Sequence, residues 1–137
     1  MTPERTGPAV GPPPQLVLDA VEQSVGHART FAREYVTFTM GDTAEDHLDD
    51  VLLVVSEIVT NAVRYGTEPG DSLRIVLDTA PGRVLVEVHD TRRRPPHFKP
   101  ESEERQRGRG MFIVDALAEW GVRDRPFGKV VWAAIKW

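Results

Sequence analysis

Ser56-Glu57-Ile58-Val59-Thr60-Asn61-Ala62-Val63-Arg64-Tyr65-Gly66 is the stretch on which the reading of this chain turns. Leu48, Val51, Leu52, Val55, Ile58, Val59 and Ala62 recur at helical spacing and mark one core stripe. At ~100° per residue, Glu57 and Asn61 stand roughly 120° from the centre of that stripe, one turn apart on a shared face. They are expected at the edge of the core, facing a cleft, where a carboxylate beside an amide can hold a metal and a water. Taken alone, a Glu and an Asn four apart on a helix are more often a solvated face.

The pair does not stand alone. Downstream, Val84-Leu85-Val86-Glu87-Val88-His89-Asp90 is an apolar alternating stretch that ends in an acid. After it, Gly108-Arg109-Gly110-Met111-Phe112-Ile113-Val114-Asp115-Ala116-Leu117 sets two glycines at the opening of an amphipathic helix. The three elements in this order are much rarer than any one of them.

Composition bounds the rest. A chain of 137 residues supports one domain with a single core. It has no cysteine, no apolar run near the ~18 residues of a membrane span, and no signal-like apolar segment, so a soluble cytoplasmic protein is expected. The net charge of -4 does not suggest nucleic-acid binding. Positive charge gathers locally at Arg92, Arg93, Arg94, Arg105, Arg107 and Arg109, which suits a phosphate better than a duplex.

Residues 1–14 contain five of the eleven prolines and read as a flexible leader, leaving 15–137 as the domain. Gln15 to Asp19 reads as a strand. Ser24 is placed to cap a helix from Val25 to about Thr39, with Val25, Ala28, Phe31, Ala32 and Val36 facing inward. Thr43-Ala44-Glu45-Asp46 resembles a loose capping box for a long second helix that ends at Gly66 in a left-handed stop. Ser72 to Asp78 and Arg83 to Asp90 read as an antiparallel hairpin about Pro81-Gly82. Residues of about 91–109 are polar and aperiodic and read as a lid. A third helix from Met111 to Glu119, a strand beginning at Trp120, a Pro126-Phe127-Gly128 turn and a last strand from Lys129 to Trp137 complete the chain. Trp132 and Trp137 are an odd number of residues apart and should point to opposite faces.

These elements predict an α/β fold, a two-layer sandwich with a mainly antiparallel, mixed sheet covered on one face by helices. The order Glu57-x-x-x-Asn61, Asp90, Gly108-x-Gly110 resembles the ATP-binding domain shared by gyrases, Hsp90, histidine kinases and MutL, the Bergerat fold of the GHKL superfamily. Within it, the Ser56 to Gly66 and Gly108 to Val114 sequences are most similar to the anti-sigma-factor serine/threonine kinases. The resemblance covers about residues 15–137.

The resemblance implies ATP and Mg²⁺ as ligands, with Asn61 holding the metal and Glu57 acting as general base toward a serine or threonine hydroxyl. Asp90 would accept a hydrogen bond from the adenine amino group and discriminate against guanine, which presents a carbonyl there. On the residues alone, an acid at a strand end is equally an ordinary turn former. Gly108 and Gly110 would let backbone amides approach phosphate oxygens, and Arg107 and above all Arg109 would clamp the phosphates. Arg64 and Tyr65 are second-tier candidates for the nucleotide border. The implied partners are a sigma factor and an anti-anti-sigma protein of the STAS type, with self-association through the open sheet face.

Two departures from the family pattern bear on activity. The family's Asp-x-Gly-x-Gly reads here Asp90-Thr91-Arg92-Arg93-Arg94, so a Cβ stands at position 92, and Pro95 and Pro96 stiffen the chain beyond it. Val130 stands where many relatives place a threonine after Gly-Lys. They motivate an alternative in which the domain regulates a partner by binding alone. Autophosphorylation of the histidine-kinase type is not expected, since no phosphoacceptor helix pair precedes the domain and His27 and His47 lie on helices the fold needs. His27, His47, His89 and His97 lack metal-site spacing.

Overall fold

A computed structural model describes residues 13–90, 111–126 and 128–137. The leader through residue 12, the lid and the glycine pair Gly108 and Gly110 lie outside the described residues. Strand β1 (Gln15–Asp19) leads into helix α1 (Gln23–Met40), a 3₁₀ segment (Gly41–His47), helix α2 (Leu48–Asn61) and a π-helical turn (Ala62–Gly66). The hairpin β2 (Ser72–Ala80) and β3 (Arg83–Asp90) comes next, then helix α3 (residues 111–117), β4 (Glu119–Arg125) and β5 (Gly128–Lys136).

The sheet order is β1-β2-β3-β5-β4, and every neighbouring pair is antiparallel, so the mixed pairing expected from the sequence is absent among the described strands. Helices cover one face. Leu73, Ile75 and Leu77 of β2 and Val84, Val86 and Val88 of β3 alternate into that layer, where they meet Val51, Val55, Ile58 and Val59 of α2 and Ala28, Ala32 and Val36 of α1. Each fully buried Val, Leu or Ile of this set contributes about 1.5–3 kcal/mol through removal from water. Val54, outside the predicted stripe, is also fully buried, whereas Leu53 is 43% exposed. Packed against both α1 and the sheet, α2 buries a wider face than its minimal stripe.

Several local expectations are corrected. Ser24 does not cap α1: the helix starts at Gln23, and the buried Ser24 hydroxyl donates to the Asp19 carbonyl at 2.7 Å, fastening β1 to the helix. The Thr43-Ala44-Glu45-Asp46 box is part of the 3₁₀ segment, where Thr43 Oγ1 donates back to Met40 O, and α2 begins at Leu48 without a side-chain cap. Gly66 ends the second helix but is not left-handed; the positive-φ glycines among the described residues are Gly41, Gly70, Gly82 and Gly128. Thr67 performs the stop instead, its hydroxyl donating to the carbonyls of Ala62 and Val63 at 3.1 and 3.2 Å. The third helix closes at residue 117, with Ala118 N–H bonded to Val114 O, because Glu119 already pairs with Ala134 in the sheet.

The hairpin forms as expected, with Ala80 opposite Arg83 and Gly82 at φ 73°. Trp132 and Trp137 do point to opposite faces. Trp132 lies over Gly121 on the open face of the sheet, and Trp137 stacks on His47 with ring centroids 4.1 Å apart. No described helix is long and apolar enough to cross a membrane.

Candidate functional site

The site begins where α2 loosens. After Asn61 the helix widens into one π turn, a feature frequent at functional positions because it redirects side chains without ending the helix. Asn61 is half-buried at this junction. Arg29 of α1 donates to Ser56 Oγ at 3.2 Å, tying the two helices together next to Glu57.

Opposite the π turn stands the end of β3. Asp90 is 3% exposed, the deepest carboxylate described. Its backbone is approached closely by Gly128, the first residue of β5: a Cβ at that position would lie 2.6 Å from Asp90 O. Only glycine fits there, and its φ of 139° adds a second reason.

Between these elements is a cavity of about 370 Å³, within the range of small-molecule sites. Asn61, Ala62 and Gly66 line it from the helix side, Val88 and Asp90 from β3, Lys129 and Val131 from β5, Trp120 and Val122 from β4, and Met111 from α3. Most of the wall is apolar, with Asn61, Asp90 and Lys129 as the polar groups among the described residues. Thus two residues singled out on separate elements, Asn61 and Asp90, meet across one pocket.

A family model for the histidine kinase-like ATPase domain matches residues 18–135. The chain belongs to this family. As a histidine kinase-like ATPase domain it is an ATP-binding module of the GHKL superfamily, and its antiparallel sheet backed by helices has the architecture expected of one. The cavity fits that ligand class: it has purine-sized apolar walls, a carboxylate to accept from a base and an amide oxygen suited to a hard cation. Among the described residues no three acidic or histidine side chains gather into a metal-binding cluster.

The other predicted residues fall elsewhere or outside the description. Glu57, half-buried one turn before Asn61, is not among the cavity-lining residues. Arg64 is turned toward α1, with Nε 3.6 Å from Glu22 Oε2. Tyr65 is half-buried and does not line the cavity. Arg107, Gly108, Arg109 and Gly110 lie outside the described residues.

Val130 faces away from the pocket. It pairs with His89 on the open side of the sheet, and the residue after Gly128 that enters the cavity is Lys129. Trp120 was legible only as a strand residue. In the fold it lines the pocket, and its Nε1 donates to Asp115 Oδ1 at 3.1 Å, which fixes the indole against α3.

On the open face, Glu87 is held below its ordinary pKa. Burial alone would raise it, but the hydrogen bond with His89 and the hydrogen bond and charge of Arg123 outweigh burial.

Proposed function

We propose that this domain is a Mg-ATP-dependent serine/threonine protein kinase that acts as an anti-sigma factor and is released on phosphorylating an anti-anti-sigma partner of the STAS type. The observation that carries this reading is the meeting of Asn61 and Asp90 across one purine-sized cavity in a histidine kinase-like ATPase domain. Asp90 accepts from the exocyclic amine of adenine, with Trp120 and Met111 providing apolar contact to the base. Asn61 offers its amide oxygen to Mg²⁺. A metal held there would supply positive charge to balance that of the phosphates. Glu57, one turn back and outside the base cavity, is the residue assigned to take the proton from an incoming hydroxyl. Arg109, with Arg107 and the amides of Gly108 and Gly110, completes the phosphate end on the sequence reading.

A second reading, binding without catalysis, is favoured by the Cβ at Arg92 and by the position of Glu57 away from the cavity wall. Phosphotransfer from γ-labelled ATP to a panel of STAS-type proteins separates the two. Glu57→Gln should retain ATP binding and lower transfer by about 10²-fold or more, the usual weight of a positioned base. Tight ATP and partner binding by the wild type with no labelled product would select the non-catalytic reading.

A further inference from the structure

Lys129 has no part in the function proposed above, although it lines the same cavity as Asp90. β3 and β5 pair up to His89 opposite Val130; Asp90 and Lys129 are the next residues on each strand, and both line the cavity. A Cβ built on Gly66 would lie 4.0 Å from Lys129 Nζ, so the ammonium is drawn across the cavity toward the helix end.

A carboxylate only accepts hydrogen bonds and an ammonium only donates them. Asp90 alone suits adenine, whose amine donates, and leaves the guanine carbonyl facing a carboxylate. Lys129 supplies the donor which that carbonyl requires. Both purines place an acceptor and then a donor in the same sense around the ring: adenine N7 followed by its 6-amine, and guanine O6 followed by N1–H. An acceptor and a donor side by side match either base after a small lateral shift.

The geometry points to Lys129 as a specificity-determining residue that opens the pocket to guanine as well as adenine nucleotides. This rests on the nucleotide-binding reading of the same cavity. The competing role for Lys129 is structural, a cation beside the C-terminal end of the α2 helix.

Calorimetric titration of the full chain with ATP, GTP and ITP tests it. ITP keeps the carbonyl and N1–H of guanine but lacks the 2-amino group. In the wild type the Kd values for GTP and ITP should fall within about tenfold of that for ATP. Lys129→Met should weaken GTP and ITP about tenfold more than ATP, the scale of one charge-assisted hydrogen bond, and Lys129→Arg should restore GTP. Wild-type ATP binding with GTP more than about 100-fold weaker overturns the role of Lys129 and leaves the ATP reading standing. Binding of no nucleotide removes both. Equal losses for ATP and GTP in Lys129→Met, with a lowered Tm, assign Lys129 to the helix end and overturn the inference. Should the Met variant not fold, the wild-type ratio of ATP to GTP and ITP decides alone.

Discussion

A methyl group added to Gly128 would lie 2.6 Å from the backbone oxygen of Asp90, and the residue's φ of 139° is one that side-chain-bearing residues rarely adopt. Gly128→Ala is therefore expected to destabilise the fold by roughly 1–3 kcal/mol, read as a lowered Tm, and to weaken ATP binding by displacing Asp90. An unchanged Tm would mean that the β3 end is not held as described. The place of Asn61 at a cleft was legible because helical geometry converts spacing into an angle, but the same four-residue spacing put Glu57 on that face, and Glu57 does not line the cavity. The neighbouring strand was less legible. Val130, Val131, Trp132, Ala133, Ala134 and Ile135 show no apolar-polar alternation, so nothing in the sequence decides which of Lys129 and Val130 faces the helices. A shift of one residue exchanges the two faces, and only the pairing with β3 settled it.

Among the elements, β3 lines the cavity with one face and carries a polar cluster on the other. Glu87 meets His89 at 2.9 Å and Arg123 at 3.3 Å there, and Arg125 stands 3.4 Å from the second ring nitrogen of His89. Because the Glu87 pKa is lower in the folded state than in the unfolded chain, its stabilising contribution is present above the unfolded value. It is lost as the pH falls through the folded value. Glu87→Gln should thus be less stable than wild type at neutral pH, and the gap should close in acid. Denaturant unfolding measured across that range checks this; a gap independent of pH would show that the charge of Glu87 is immaterial. Strand and helix existence was readable from periodicity and residue type, as were the starts at Gln15, Ser72, Arg83 and Met111, but the starts of α1 and α2 were not. Ser24 and Thr43 have the chemistry of helix caps, yet their hydroxyls bond to Asp19 O and Met40 O, partners that only the folded connections bring within reach.

At the scale of the whole molecule, two layers create the pocket where α2 loosens against the ends of β3 and β5. The order of strands and helices was readable from periodicity and turn residues, and the superfamily from Glu57, Asn61, Asp90 and the glycine pair taken together. The cavity's breadth was not, because Trp120, Met111, Val122 and Lys129 reach it through tertiary packing that no local spacing encodes. The proposed Mg-ATP site depends on Asn61 and Asp90 bounding a single nucleotide. Calorimetric titration of the full chain with ATP, with and without Mg²⁺, beside Asn61→Ala puts this to the test. Binding in the wild type should weaken about tenfold or more when Mg²⁺ is removed or Asn61 is truncated. No detectable heat for the wild type at about millimolar ATP would refute the site.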